Sequence, residues 1–372
     1  MKVTIERAAF LKALNHVQSV VERRNTIPIL SNVLLQADGG QIKLTATDLD
    51  IEVVETVPAD IAQGGATTAP AHMMHDIVRK LPDGAQLEIE QGPDEGRIAI
   101  FAGRSRFALQ ALPPEEFPDL AAGDLTNRFT VPAAEFKRLI EKTRFAISTE
   151  ETRYYLNGIY LHAVGEGDAA MLRAVATDGH RLAQVQVPLP EGAAGMPGVI
   201  VPRKTVLEVH RLIEDSDDAL EIALSSSKIR FGFDGIVLTS KLIDGTFPDY
   251  ERVIPKDNDK SMEVDTRLFA QAVDRVSTIS SEKGRAVKLH ISPERVVLTV
   301  NNPDSGSAEE EVAATYDGEP LDIGFNARYL LDITNQFGGD TARFSLADAG
   351  SPTIVSDAGD ETALYVLMPM RV

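Results

Sequence analysis

Asp178, Gly179, His180 and Arg181 are consecutive, so a carboxylate, a turn former, an imidazole and a guanidinium fall within four positions. These groups could move a proton and steady an anion, the chemistry of a hydrolase or lyase using Asp178, His180 and Arg181. Such a site also needs a nucleophile in a defined pocket, and none is fixed near His180. The competing reading is structural: an aspartate at a strand end accepts backbone N–H groups and closes a turn.

Recurrence separates the two. "TATDLDIEVVETVPAD" (residues 45–60) resembles "VATDGHRLAQVQVPLP" (residues 175–190), with Asp48 and Asp178 lying 130 positions apart. Phe117-Pro118-Asp119 and Phe247-Pro248-Asp249 show the same offset of 130. The aspartate therefore recurs, whereas glycine, histidine and arginine give way to Leu49, Asp50 and Ile51 in the first copy. A feature that travels with the repeat belongs to the fold, so Asp178 is read as a turn residue.

The elements around the turns repeat as well. "AAFLKALNHVQSVV", "AAEFKRLIEKTRFAIS" and "TRLFAQAVDRVSTIS" carry apolar residues at three- and four-residue spacing, the pattern of amphipathic helices. Alternating strand pairs joined by Gly-rich or Ser-Pro turns follow each one. A second helix recurs in "APAHMMHDIVRKLP", "VPRKTVLEVHRLI" and "FNARYLLDITNQF", followed by two more strands in the first two copies. The chain thus reads as three units, 1–125, 126–253 and 254–372. Each would be two helices packed on antiparallel sheet, an α+β class. Such sheets leave open strand edges, which edge-to-edge joining of units would satisfy, and a symmetric partner could close the outermost ones.

Bulk properties narrow the function. With 372 residues, two or three domains are expected, and 43% apolar with 25% charged content marks a folded chain. The absence of cysteine excludes disulfides, thiolate zinc sites and cysteine nucleophiles. No signal peptide or membrane-length apolar window occurs, so a cytoplasmic location is expected. His72 and His75 lack a third ligand at metal spacing, and no Walker-type loop exists, so neither metal nor cofactor is expected.

A net charge of −19 argues against a surface that binds nucleic acid all over. It leaves room for a local basic face, because exposed charges are screened over about 8 Å. The corresponding helices supply Lys12, Arg23, Arg24, Lys137, Arg138, Lys142 and Arg144, then Arg79, Lys80, Arg203, Lys204 and Arg211. Acids such as Glu88, Glu90, Asp94, Glu95, Asp215, Asp217 and Asp218 sit in strands and loops. If the helices face one way, that face would meet phosphates in any sequence and not base edges. Tyr154 and Tyr155, beside Arg153, are the nearest stacking candidates and are read as opening a strand.

The segments "RRNTIPILSNVLL", "TRYYLNGIYLH", "ATDGHRLA", "TFPDYERVIP" and the terminal "YVLMPMRV" together resemble the bacterial DNA polymerase III beta subunits, the sliding clamps, over the whole chain. The resemblance implies a non-catalytic processivity factor: a head-to-tail homodimer, each chain half of a closed ring around duplex DNA. Helices would line the hole and sheet would form the outside. It implies DNA contacts at Arg23 and Arg24 and at residues 150–155, where the acidic Glu150 cannot donate to a phosphate. Partners would be the clamp loader, the replicative polymerase catalytic subunit, repair polymerases and mismatch-repair proteins, the last groups docking through short apolar linear motifs. ATP-driven ring opening would have to come from another protein.

The same resemblance implies a peptide pocket walled by Thr177, Gly179, His180, Arg181, Leu182, Pro248 and Val253. The terminal strand would add Val366, Leu367, Met368, Pro369 and Met370, with Asn326, Tyr329 and Pro352 nearby. The residues themselves agree, since methionine adapts to several partner shapes and Pro369 stops further strand pairing. Phe107 and Ile279 match the family's apolar dimer contacts, although "SEKGRAV" from Ser281 departs from the pattern there. The rival to a ring is a peptide-binding scaffold that never encircles DNA.

Overall fold

A computed structural model describes residues 1–92, 96–120, 123–214, 216, 218–280 and 285–372. Asp94, Glu95, Asp215, Asp217 and residues 281–284, named above, lie outside the described residues. Helix and strand are both present, as the period changes predict. The helices are α1 (Arg7–Gln18), α2 (Ala71–Lys80), α3 (Ala133–Glu141), α4 (Arg203–Leu212), α5 (Thr266–Ser277) and α6 (Ala327–Thr334). Each sequence repeat contributes two of them.

By compactness the chain divides into two units. The first comprises Met1–Phe136, Pro190–Ala193 and Lys204–Leu242. Its larger sheet has eight antiparallel strands in the order Asn127–Pro132, Ala219–Leu224, Lys228–Phe233, Ile236–Lys241, Ile51–Pro58, Gln41–Thr47, Asn32–Asp38 and Gly65–Pro70. A five-stranded sheet, Asp60–Gln63, Lys2–Glu6, Gln86–Gln91, Arg97–Ala102 and Ser105–Gln110, completes it. Helix α1 starts where the Glu6 carboxylate accepts from the Ala9 N–H at 3.0 Å, satisfying an otherwise unpaired donor of the first turn. Its spacing then buries Phe10, Ala13, Leu14 and Val17 on one face.

The second unit comprises Lys137–Leu189, Ala194–Arg203 and Ile243–Val372. Its strands form one twelve-stranded sheet. Val199–Pro202, Gly158–Val164, Met171–Thr177 and Arg181–Pro188 lead into Ala363–Leu367, Thr353–Asp357, Thr341–Leu346 and Lys260–Asp265. Gly306–Tyr316, Arg295–Asn302, Ala286–Ser292 and Leu321–Asn326 follow. Helix α5 is capped by Asp265, which accepts from the Leu268 N–H at 2.8 Å, and buries Phe269, Ala272, Val273 and Val276.

Two pairings join sequence repeats edge to edge. In the first unit Ile51–Pro58 pairs with Ile236–Lys241, and in the second Arg181–Pro188 pairs with Ala363–Leu367. These ladders satisfy backbone groups that each repeat alone would leave open. They also explain why the compact units divide the middle repeat: half its strands belong to each sheet. Among the described residues, no helix is long and apolar enough to cross a membrane.

Candidate functional site

The Asp178 stretch is a turn closed by its own side chains. Asp178 Oδ1 accepts from the N–H groups of His180 at 2.9 Å and Arg181 at 3.1 Å. Thr177 Oγ1 accepts from the Gly179 N–H at 3.1 Å and donates to the Arg181 carbonyl at 2.7 Å. Asp48 repeats this with Asp50 at 2.9 Å and Ile51 at 2.7 Å, and Thr47 with Leu49 at 3.0 Å and Ile51 at 2.8 Å. Both turns pass through the left-handed region, at φ 87° for Gly179 and 80° for Leu49. Asp178 Oδ2 accepts from Arg181 Nε at 3.1 Å, so both carboxylate oxygens are engaged. That arrangement holds a loop shape and commits both oxygens of Asp178 to it.

Arg181 ties this turn to its surroundings. Its Nη1 donates to Asp332 at 2.6 Å and its Nη2 to the Phe145 carbonyl at 2.7 Å. The guanidinium carbon lies 4.2 Å from the Tyr329 ring centre and 5.1 Å from that of Phe145. A planar fork with rings against its faces cannot be replaced by a point charge.

Beside the turn lies a cavity of about 250 Å³. Thr177, Gly179, His180, Arg181, Leu182, Pro248, Val253, Val366 and Met368 line it, together with Leu156, Asp249 and Tyr250. Leu182 and Val366 are buried neighbours on adjoining strands, whereas Val253 and Met368 are half open to solvent. Space of this size takes one or two apolar side chains and not a whole cofactor. Leu367 is not part of the wall. Alternation along the strand turns it to the opposite face, where it is fully buried. Pro369 and Met370 line a different cavity, with Lys288, Asp322 and Gly324. Pro352 is outside both linings, its carbonyl accepting from Asn258 Nδ2 at 3.0 Å. Asn326 caps α6 through the Arg328 and Tyr329 N–H groups, and the Tyr329 ring stands 6.5 Å from that of His180.

Leu156 and Tyr250 were missed from the sequence, although Tyr250 directly follows the repeated Phe-Pro-Asp. The Tyr250 hydroxyl meets His162 Nε2 at 3.0 Å and Arg173 Nη1 at 2.9 Å. Burial, aided by the nearby Arg173 charge, pushes His162 down to about 4, so its imidazole is neutral near pH 7. Phe247 stacks on Tyr160 with ring centres 4.9 Å apart and backs the same cluster.

The cations divide by what holds them. Arg138 donates to Asp360 and Thr362, and Lys142 donates to the Gln336 carbonyl at 2.7 Å. The Asp360 carboxyl, despite its burial, is held well below the usual carboxylate range by Thr362 and Arg138. Lys204 pairs with Asp48 and, at 3.3 Å, with Glu22. Arg211 bonds Glu208 at 3.0 Å and the His16 carbonyl at 2.9 Å. Arg79 lies 3.3 Å from Asp76. Arg23 and Arg24 are exposed, but in the loop after α1 and not on a helix. Lys80 and Arg203 are exposed at the end of α2 and the start of α4.

Tyr154 and Tyr155 sit in a short 3₁₀ segment, Glu151–Leu156, before the strand and not in it. Tyr154 is exposed, whereas Tyr155 packs against the cleft's core. Glu150 is ion-paired with Arg153 at 2.6 Å, which lowers the glutamate's pKa. Phe107 is half-buried on the strand at one edge of the five-stranded sheet, and Ile279 is half-buried just after α5. His72 bonds Gln18 at 2.6 Å and the Val21 carbonyl at 2.8 Å, while His75 bonds Asn15 at 2.6 Å. Among the described residues no group of His, Asp and Glu could hold a metal.

Repeated α+β units, an engaged turn aspartate and a small apolar cleft define a binding protein assembled from duplicated parts. Models of the DNA polymerase III beta subunit match throughout: its N-terminal domain over residues 1–121, its central domain over 130–249 and its C-terminal domain over 251–371. The chain belongs to the DNA polymerase III beta subunit family. It is 58% identical over 372 residues to the beta sliding clamp of Caulobacter vibrioides, covering 100% of both chains. Identity to the Escherichia coli K12 beta sliding clamp is 42% over 373 residues, again covering 100% of both. A Bartonella birtlesii sliding clamp bound to griselimycin superposes with a TM-score of 0.97 at 54% identity, covering 100% of both chains. Membership makes this chain a sliding clamp and a non-catalytic processivity factor, and the hydrolase or lyase reading finds no support.

Proposed function

We propose that two copies of this sliding clamp close into a ring around duplex DNA, each supplying three units, 1–125, 126–253 and 254–372. Phe107 and Ile279 would meet across the ring joints. Inside, Arg23, Arg24, Lys80 and Arg203 would meet phosphates, because these cations are exposed and, among the described residues, make no ion pair that competes for them. Arg79, Lys137, Arg138, Lys142 and Lys204 would act through the field they add, their tips already engaged within the protein. Arg153 would neutralise Glu150 beside Tyr154 and Tyr155. Non-specific phosphate contact suits sliding, because it favours no register along the duplex.

The cleft beside residues 177–181 would take short apolar motifs from the replicative polymerase, the clamp loader and repair proteins, in the cytoplasm. The observation that carries this reading is a buried apolar floor, Leu182 and Val366, under a lip where Met368 and Val253 stay partly open. Exposed apolar side chains around a small cavity are the usual form of a linear-motif site. Two measurements test the proposal. Loaded protein should remain on nicked circular DNA and leave once the circle is cut, and equal retention on both forms would exclude encirclement. Removing residues 368–372 should abolish peptide binding without changing the dimer mass, and unchanged affinity would exclude the cleft.

A further inference from the structure

The cleft has a counterpart in the first unit. Residues 47–51 repeat the four hydrogen bonds that the Thr177 and Asp178 side chains make to the backbone of residues 179–181. Beyond each turn the strand is paired alike: Ile51 and Glu52 oppose Ser240 and Thr239, as Arg181 and Leu182 oppose Leu367 and Val366. At the lip the Lys241 N–H donates to the Asp50 carbonyl at 2.9 Å, and the Met368 N–H to the His180 carbonyl at 3.0 Å. This register matches Leu182 with Glu52, Val366 with Thr239, Met368 with Lys241 and His180 with Asp50.

The three apolar side chains that this stretch gives the cleft, Leu182, Val366 and Met368, are therefore polar in the counterpart. Glu52 is half-buried, and its Oε2 accepts from the Leu120 N–H at 3.3 Å. Leu120 follows Phe117-Pro118-Asp119 as Tyr250 follows Phe247-Pro248-Asp249, so the carboxylate occupies the space that is apolar floor in the second unit. Lys241 Nζ bridges to Asp50 at 3.0 Å across the lip. Burial raises the Glu52 pKa against the opposing Leu120 hydrogen bond, as befits a carboxylate in a site shaped for an apolar group.

We propose that Glu52 and the Asp50–Lys241 pair are specificity determinants that silence this counterpart, confining apolar peptide anchors to one cleft per chain. An apolar side chain seated there would strip water from a carboxylate and replace none of its hydrogen bonds. The inference rests on the second-unit cleft being the peptide site. Duplication would otherwise give every partner two docking positions on each chain.

The test is a titration of the full-length protein with a fluorescein-labelled hexapeptide carrying Leu and Phe anchors. The unaltered chain should bind one peptide, and binding of none would overturn the cleft reading and this proposal with it. Glu52→Leu, Thr239→Val and Lys241→Met combined should raise the ratio to two, with the first affinity unchanged. Adding Leu182→Glu should then leave one peptide bound, now in the first unit. A combined variant that keeps the first affinity yet stays at one peptide per chain would refute the proposal and leave the cleft reading intact. Glu52→Gln with Lys241→Met, which preserves the buried volume, is carried alongside. It must also gain a second, weaker site, and failure to do so overturns the proposal even if the larger substitution unfolds the unit.

Discussion

Replacing Arg181 by methionine isolates the charge that holds the Asp178 turn to its neighbours. Arg181 is 8% exposed and engages Asp178, Asp332 and the Phe145 carbonyl. Methionine retains length and contact with the Phe145 and Tyr329 rings but removes all three hydrogen bonds. Breaking a buried pair by removing one partner costs about 3–5 kcal/mol. The cost here falls at or below the lower end of that range, because Asp332 is 28% exposed and can rehydrate, and Asp178 keeps two backbone donors. A loss of about 2–3 kcal/mol corresponds to roughly 5–10 °C in the melting of a unit this size. Thermal unfolding followed by near-ultraviolet circular dichroism reads the shift, and hydrogen exchange at the Gly179, His180 and Arg181 amides reads its location. Arg181→Lys should fall between, since one ammonium cannot reach three acceptors. A methionine variant with unchanged melting temperature and unchanged exchange at those amides would refute the reasoning.

His162 titrates near 6.5 when unfolded but at about 4 when folded, so the unfolded chain takes up its proton first. Stability should therefore fall as pH drops from about 6.5 to about 4. His162→Gln should remove about 1–2 kcal/mol of that fall in urea titrations, a figure already reduced for solvent screening. Leu49 is 39% exposed at φ 80°, and relief of about 1–2 kcal/mol of left-handed strain outweighs glycine's added entropy cost of about 0.5–1 kcal/mol. Leu49→Gly should thus be neutral to stabilising in thermal melts. Arg23→Ala with Arg24→Ala should weaken DNA binding equally on all sequences and reduce the slope of log K against log salt by about 1.8, as measured by fluorescence anisotropy.

The repeat was legible because turn chemistry is local: Asp48 and Asp178 satisfy donors two and three residues away, so the motif survives in sequence. The fate of the cations was not. Arg138 finds Asp360 222 positions on, and Lys204 finds Asp48 across 156, partners that no local pattern announces. Strand alternation alone separates Leu367 from the cleft, since adjacent strand residues face opposite ways and Val366 and Met368 take the cleft side. Tyr250 was recoverable too, as the residue next to a motif that recurs. Apolar spacing that continues through Val20 and Val21 places Arg23 and Arg24 on a helix, whereas α1 ends at Gln18 and both lie in the loop beyond it.

The pairing of Ile51–Pro58 with Ile236–Lys241, and of Arg181–Pro188 with Ala363–Leu367, bears on how the chain can be dissected. A fragment cut at the repeat boundaries to isolate residues 126–253 would bare two long strands, Ile236–Lys241 and Arg181–Pro188, each stripped of a ladder. Such strands recruit copies of themselves, so excised repeats should self-associate or precipitate. Internal duplication here has yielded segments whose sheet edges are completed by their neighbours.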